Sequence, residues 1–431
     1  MLASSRCASA TTPLPPKPQP AALYRPRKPQ LSDLYQLLET HYDDLKAQWE
    51  DRFEKAYGYW RAFVDNVVLR YFDCGVPQGG FARLVCEDCR SEFLLCFSCK
   101  ARSLCPSCDA KRAAGFAAFL QEELLEDVGH AVWSFSIPKM LRPYFLFHRE
   151  LLTELARAGY ETVHELMATA TDDQNVRVGM VVAIQTFSDN LKWNPHLHCF
   201  VSRGVWRADG QWIPVPYIDT HAAEILFREK VFRLLQQHDL LSDERIKILR
   251  SWHRSGFSVD NDVYLYPSDT QALETLCRYI VRCPISLQRL HYDKNSNYVL
   301  YQPKSKNRKA ELLDPLEFIA RVLIHIPEPK QHSILYYGHY ARRRRKHIPK
   351  HRPATNDDAL NKIHRKTLRR RWASLIRRVF KADPLVCTNC GGKMRLVSFI
   401  TEPSVIGQIL NHLENRNNKD PPFPPESLPR E

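Results

Sequence analysis

Residues 193–201 of this chain read Trp193-Asn194-Pro195-His196-Leu197-His198-Cys199-Phe200-Val201. The apolar flanks predict a β-strand, in which alternate side chains point to opposite faces of the sheet. His196 and His198 then lie on one face and Leu197 lies on the other. Two neighbouring imidazoles can bind one metal ion, although a half-exposed strand is the commoner explanation of an isolated His-x-His pair.

Composition and charge restrict the class of protein. With 431 residues, 44% hydrophobic and 11% aromatic, the chain is long enough for two or three domains and is not mostly disordered. The formal charge of +14 predicts a polyanionic partner, with nucleic acid ahead of an anionic membrane surface. The sequence has no run of 18 apolar residues and no apolar secretory segment at its start, so we expect no membrane span and a cytoplasmic, nucleoid-associated protein.

The elements predicted around the two-histidine strand favour an α+β fold. The predicted strands are 131–137, 178–184 and 258–266, and the predicted helices are 113–128, 145–170, 222–250 and 268–282. This order is compatible with an antiparallel sheet covered by helices on one face. Upstream, Ser32 is the predicted N-cap of a helical region that precedes a cysteine-rich module.

Seven of the thirteen cysteines fall between Cys74 and Cys108, mostly as Cys-x-x-Cys pairs. In a cytosolic protein this spacing favours Zn²⁺ over disulfides, with reduced core cysteines as the alternative. The preferred ligand set is Cys86, Cys89, Cys105 and Cys108; Cys99 is the first substitute, followed by Cys96 or Cys74, and a second zinc site stays open. Cys387 and Cys390 form a half site, which either recruits ligands from elsewhere or is an unmetallated turn.

Residues 274–284 predict the last turns of a helix that is stopped by Pro284. Arg278 and Arg282 are four residues apart, which places them on one helix face with Tyr279 beside it. A tyrosine hydroxyl can attack a phosphate whose charge is neutralised by a metal ion and arginines. A core or interface tyrosine is the ordinary alternative.

Several short motifs occur together in a specific order. They are residues 98–108, Ile137-Pro138-Lys139 with Leu141-Arg142, Asn194-Pro195-His196-Leu197-His198, Arg278-Tyr279-Ile280 before Arg282-Cys283-Pro284, His325-Ile326-Pro327, and Tyr336-Tyr337-Gly338-His339-Tyr340 followed by arginines. On these motifs, from about Leu31 to Leu413, the chain resembles rolling-circle transposases of the insertion-sequence ninety-one family. Their nuclease domain belongs to the HUH superfamily, named for its His-hydrophobic-His motif.

The resemblance implies a metal-dependent tyrosine transposase with an HUH-type nuclease domain. His196 and His198 would bind catalytic Mg²⁺ or Mn²⁺, and Tyr279 would attack single-stranded DNA at the element ends to give a 5′-phosphotyrosine. Reversal would join the strand to target DNA, and no nucleotide cofactor is needed. Members with two nucleophiles carry a second tyrosine where this chain has Thr275, so we expect a single-tyrosine variant. Gln185 is a candidate third metal ligand by its chemistry alone.

The implied organisation has five regions. They are a disordered Pro-rich arm at 1–30, a helical and zinc-binding domain at 31–125, the nuclease domain at 126–330, a basic DNA-binding region at 331–415 and a disordered tail at 416–431. Between Arg342 and Arg371, thirteen Lys and Arg face two Asp. The predicted DNA-binding residues are Arg278, Arg282, Tyr337, Tyr340, Arg342, Arg343, Arg344 and Arg345; the tyrosines stack on unpaired bases or else lie at the edge of the core.

The second function class is a zinc-dependent nucleic-acid-binding regulator without catalysis. It accounts for the cysteines and the basic segment. It leaves the two-histidine strand and the helix of Tyr279 unexplained.

Overall fold

The computed structural model describes residues 22–23, 28–305, 309–341, 382–383 and 385–417, and the α+β class is confirmed. The helices are α1 Asp33–Ala47, α2 Trp49–Arg52, α3 Glu54–Tyr57, α4 Phe63–Phe72, α5 Pro106–Phe119, α6 Arg142–Phe147, α7 Leu151–Thr171, α8 Thr220–Gln237, α9 Asp243–Ser251, α10 Thr270–Ile280, α11 Pro315–Leu323 and α12 Pro403–Asn417. The strands are β1 Ala22–Leu23, β2 Phe81–Cys86, β3 Glu92–Cys96, β4 His130–Ser136, β5 Arg177–Phe187, β6 Trp193–Trp206, β7 Trp212–Pro214, β8 Ser258–Leu265, β9 Leu290–Asp293, β10 Tyr298–Tyr301, β11 Glu311–Leu313, β12 Ile334–Tyr337, β13 Ala382–Asp383 and β14 Met394–Ile400.

A six-stranded antiparallel sheet forms the centre of the fold. Its order is β12-β5-β6-β4-β8, and β7 extends the sheet beside β6. The long pair β5 and β6 sets the register, with Ala183 opposite His198 and Gln185 opposite His196. Directly opposed residues share a face of the sheet, so Gln185 and both histidines point to the same side.

Helices cover both faces of this sheet, which corrects the expectation of helices on one face. On one side, Phe135, Leu197 and Cys199 belong to a core that includes residues of α7 and α8. On the other side, Val181 and Phe200 pack with residues of α5 and α10. Residues 178–184 explain the difference. They form a continuous apolar run without polar residues at alternate positions, which is typical of a strand that is buried on both faces.

A second large core joins the N-terminal helices to residues 285–326. It contains residues of α1, α4, β9, β10 and α11. His41 Nε2 and the Tyr292 hydroxyl lie 2.8 Å apart within it. The predicted helical region and the end of the predicted nuclease region therefore share one core, while β12 adds residues from beyond position 330 to the central sheet.

A three-stranded sheet, β14-β2-β3, brings the C-terminal part of the chain onto the cysteine-rich module. Met394 pairs with Cys86 at one end of the β14–β2 ladder, and Ile400 pairs with Phe81 at the other. In the part of the chain that the structure describes, no helix has the length and apolar character needed to cross a membrane.

Candidate functional site

His196 and His198 lie side by side on β6, on the sheet face that α10 covers. Their ring centroids are 4.9 Å apart and the ring planes are nearly perpendicular, at 81°. His196 Nδ1 lies 2.7 Å from the carbonyl oxygen of Asn194, which can only accept, so Nδ1 carries the proton and Nε2 keeps a lone pair. His198 Nε2 is buried and has no hydrogen-bond partner among the described residues. The pair therefore offers lone pairs to a metal ion.

Burial keeps both imidazoles neutral. It lowers the pKa of His196 to about 4, against the opposing effect of the bond to Asn194 and with the help of the positive charge of Arg282. Burial also lowers the pKa of His198 to about 3, assisted by His196 and Arg282. Neutral imidazole is the form that binds metal, so the site is in its ligand form at pH 7.

Tyr279 comes from α10 to the same place. Its ring meets the His198 ring at a centroid distance of 5.2 Å and an angle of 68°, and the residue is 41% exposed. The Arg282 guanidinium lies 5.0 Å from the centroid of the Tyr279 ring, and the Lys304 ammonium lies 5.6 Å from it. A solvent-accessible phenol is thus flanked by two cations and by a candidate metal ligand. Sequence reasoning missed Lys304, because no spacing links it to Tyr279.

Gln185 holds the end of the helix that carries Tyr279. Its Nε2 donates to the carbonyl oxygens of Tyr279, at 3.1 Å, and Ile280, at 2.6 Å, which are among the last carbonyls of α10. The residue is buried, and its Oε1 has no hydrogen-bond partner in the described part of the chain. Gln185 therefore fixes the backbone at Tyr279, and its unpartnered oxygen belongs to a side chain on the histidine face of the sheet.

Arg278 and Arg282 do not share a helix face, which corrects the prediction from their spacing. α10 ends at Ile280, four residues before Pro284, so the four-residue helical repeat no longer applies at Arg282. Arg278 forms an exposed ion pair with Glu274. Arg282 lies inside the site, where its guanidinium contacts the rings of Tyr279 and Phe187.

The predicted zinc set Cys86, Cys89, Cys105 and Cys108 is divided between two clusters. Cys105 and Cys108 lie with Cys74 and with the substitute Cys99, and all four sulfur atoms are within 4.8 Å of one another. Cys86 and Cys89 instead lie beside β14, because Cys86 is the last residue of β2, which pairs with that strand. Cys96 belongs to neither cluster.

The first cluster has the spacing of a tetrahedral site. Its Cys74–Cys105 and Cys99–Cys108 sulfur distances are 3.8 and 3.5 Å. Four sulfur atoms at a Zn–S distance of about 2.3 Å would lie about 3.8 Å apart. These four cysteines are suited to hold a structural zinc ion.

Comparison with known proteins identifies the family. Residues 179–347, which contain His196, His198 and Tyr279, match a family model described as a putative transposase, and residues 38–137 match a transposase zinc-binding domain. The chain is 26% identical over 371 residues to the transposase for insertion sequence element IS801 of Pseudomonas savastanoi pv. phaseolicola, a similarity that covers 80% of this chain and 86% of that protein. The chain belongs to the insertion-sequence ninety-one family of transposases.

A second relative of this transposase is the putative transposase y4qJ of Sinorhizobium fredii, 28% identical over 285 residues, which cover 60% of this chain and 70% of that one. No solved structure is significantly similar to the chain.

Tyr337, the last residue of β12, and Tyr340, which follows it in the chain, do not lie as predicted for DNA-binding residues. Tyr340 is fully buried and its hydroxyl contacts His130 Nε2 at 2.5 Å, so its expected stacking on DNA bases is wrong. Tyr337 is half-buried with one face stacked on Tyr160 at 4.9 Å, and burial raises the pKa of Tyr337 to about 12. The other predicted contacts of the transposase, residues 342–345, lie outside the described residues.

A groove of about 590 Å³ runs between the zinc-binding domain and β12 of the transposase. Four cationic side chains line it: Lys100, Arg102, Lys111 and Arg112. Phe116 and Tyr336 add aromatic surface to the same groove. The groove therefore combines positive charge with aromatic rings, as binding sites for single-stranded nucleic acid do.

Proposed function

We propose that this transposase nicks and rejoins single-stranded DNA at insertion-sequence ends through Tyr279, in rolling-circle transposition. The observation that carries the proposal is the contact of the Tyr279 ring with His198, next to His196. A candidate nucleophile and two candidate metal ligands, some eighty residues apart in the sequence, lie in ring contact with one another. A DNA-binding regulator would have no use for this arrangement.

In the proposed step, the Tyr279 oxygen attacks a phosphorus of the DNA strand. The phenol proton passes to solvent, the new O–P bond leaves a 5′-phosphate on Tyr279, and the bond to the 3′-oxygen breaks as that oxygen takes up a proton from solvent. The later attack of a 3′-hydroxyl on the phosphotyrosine reverses the step and releases the tyrosine. Because each phosphoester bond that breaks is replaced by a new one, the bond energy is kept and no nucleotide cofactor is required.

The chain's own groups fit a divalent ion at this place. His196 Nε2, His198 Nε2 and Gln185 Oε1 are the three candidate ligand atoms, and the last two are buried without a hydrogen bond from any described residue. Mg²⁺ or Mn²⁺ bound there would polarise a phosphoryl oxygen. Two imidazoles with one amide oxygen suit Mn²⁺, while added water and phosphate oxygens would suit Mg²⁺.

The charged side chains near Tyr279 support a phosphate substrate. Arg282 and Lys304 lie over the phenol ring, where their charges would neutralise a phosphate under attack by Tyr279. The cationic groove beside the zinc-binding domain would bind the strand that leads to the site, and this affinity for DNA would hold the protein at the nucleoid.

The test is covalent adduct formation with a single-stranded oligonucleotide that carries the element end and a label on the 3′ side of the nick. We expect an adduct that survives denaturing electrophoresis with the unchanged chain and Mn²⁺, and at least ~10³-fold less with Tyr279→Phe. Tyr298→Phe is the matched control, because Tyr298 is similarly exposed and lies outside the site.

Adduct formation by Tyr279→Phe at the unchanged rate would show that the nucleophile is another residue. The combined change His196→Ala and His198→Ala is expected to abolish cleavage while DNA binding persists. Tight binding with no metal-dependent nicking of any single strand would favour the regulator.

A further inference from the structure

Cys387 and Cys390 lie against Cys86 and Cys89, about three hundred residues away in the sequence. The Cys86–Cys390 and Cys89–Cys387 sulfur distances are 3.5 and 3.6 Å, and all four sulfur atoms lie within 4.8 Å of one another. This is close to the spacing of about 3.8 Å between sulfur atoms around tetrahedral Zn²⁺. The family matches end at residue 347, so neither of them includes Cys387 and Cys390.

The turn that presents Cys387 and Cys390 has the form of a metal knuckle. The backbone N–H groups of Asn389 and Gly392 donate to the sulfur atoms of Cys387 and Cys390, each at 3.4 Å. Such donors stabilise the negative charge of a thiolate ligand. A Cβ atom at Gly392 would stand 2.1 Å from the Asp88 carboxylate, so the two turns approach as closely as a glycine allows.

Packing does not account for this cluster. Cys86 and Cys387 are buried, but Cys89 and Cys390 are exposed. Two exposed thiols beside two buried ones contribute little apolar burial to the sheet β14-β2-β3. Coordination of one ion by two Cys-x-x-Cys pairs explains both the spacing and the exposure.

We propose that Cys86, Cys89, Cys387 and Cys390 bind a second structural Zn²⁺, which fastens the C-terminal segment to the zinc-binding domain. The ion joins the turn between β2 and β3 to the turn that precedes β14, at the end of the β2–β14 ladder. The zinc-binding domain of this chain is therefore completed by residues from the other end of the sequence. The site is independent of the chemistry proposed at Tyr279.

The first test uses the unmutated, full-length chain. Iodoacetamide labelling, read by mass spectrometry for each cysteine, is performed before and after incubation with a zinc chelator. Because Cys89 and Cys390 are exposed, burial does not protect them from the reagent; we expect bound metal to do so, and both to be labelled at least ~10-fold faster after chelation. Labelling of both at the rate of a free thiol before chelation would overturn the proposal.

The second test is zinc content per chain. We expect two zinc ions in the unchanged chain, one for each cluster, and one after the combined change Cys387→Ser and Cys390→Ser. Cys96→Ser is the matched control, because Cys96 lies on β3 of the same sheet but in neither cluster, and it should keep two. A double variant that keeps as much zinc as the unchanged chain would contradict the second site, as would a single zinc ion in the unchanged chain.

Discussion

Replacing Gln185 tests how this transposase holds Tyr279 beside the histidines. In Gln185→Leu the side chain keeps its approximate volume, but the carbonyls of Tyr279 and Ile280 lose their donor. A buried polar group left without its hydrogen bond costs about 1–3 kcal/mol, so two such groups should lower the free energy of unfolding by about 2–6 kcal/mol. Urea denaturation measures this loss.

A second variant separates the role of the amide nitrogen of Gln185 from that of its oxygen. Gln185→Glu keeps an oxygen for the metal but removes both N–H donors that face α10. We expect it to lower stability, as Gln185→Leu does, while it retains or increases the affinity for Mn²⁺, because a carboxylate is a stronger ligand than an amide oxygen. Gln185→Leu should lower both stability and Mn²⁺ affinity, the latter measured by calorimetric titration of the zinc-loaded protein.

Gln121→Leu is the control for α10. Gln121 Nε2 donates to Thr270 Oγ1 at the other, exposed end of the same helix, so its loss should cost less than about 1 kcal/mol and leave Mn²⁺ affinity unchanged. If Gln185→Leu unfolded at the same urea concentration as the unchanged chain and bound Mn²⁺ equally well, both roles assigned to Gln185 would be refuted.

Two further predictions concern packing around the central sheet. Gly338→Ala should destabilise the fold by about 3 kcal/mol or more in urea denaturation, because φ is +53° and a Cβ atom would stand 2.0 Å from the Val178 carbonyl oxygen. The control Gly210→Ala, where φ is +95° but the space around a Cβ atom is open, should cost about 1–2 kcal/mol. Equal losses in the two variants would contradict the steric argument. Burial lowers the pKa of His130 to about 4, whereas the unfolded chain takes up this proton near pH 6.5, so His130 should reduce stability by about 2 kcal/mol as the pH falls from 7.5 to 5. Urea denaturation of His130→Gln at the two pH values should show a pH-dependent loss smaller by that amount, and an equal loss would show that His130 does not titrate in this way.

Local periodicity predicted the positions of the two histidines and Tyr279 on their elements. Alternation along β6 placed His196 and His198 on one face, and the structure has them there with their rings 4.9 Å apart. The helical pattern placed Tyr279 on a helix. These features depend on neighbouring residues, whose relative directions a single strand or helix determines.

Contacts between distant residues were beyond the reach of local patterns. The Cys86–Cys89 and Cys387–Cys390 pairs were each recognisable in the sequence, but their association depends on the β2–β14 ladder, which joins residues about three hundred positions apart. The position of Arg282 was mispredicted for a smaller reason. Pro284 marks where a helix cannot continue, but α10 ends earlier, at Ile280, and the direction of Arg282 changes with that ending.

The zinc-binding domain takes part in holding Tyr279, the proposed nucleophile. Cys105 is the N-cap residue of α5, and Cys108 lies in the first turn of the same helix, so the first cysteine cluster fixes where α5 begins. The middle of α5 packs against α10 on the histidine face of the sheet, through apolar residues of both helices: Ala113, Phe116, Ala117, Leu273, Cys277 and Ile280. α10 is therefore held between the sheet, where Gln185 fixes its last carbonyls, and a helix that starts at the cysteine cluster. Because packed interiors transmit displacements instead of absorbing them, we expect a shift of the first cysteine cluster to move α5, α10 and therefore Tyr279.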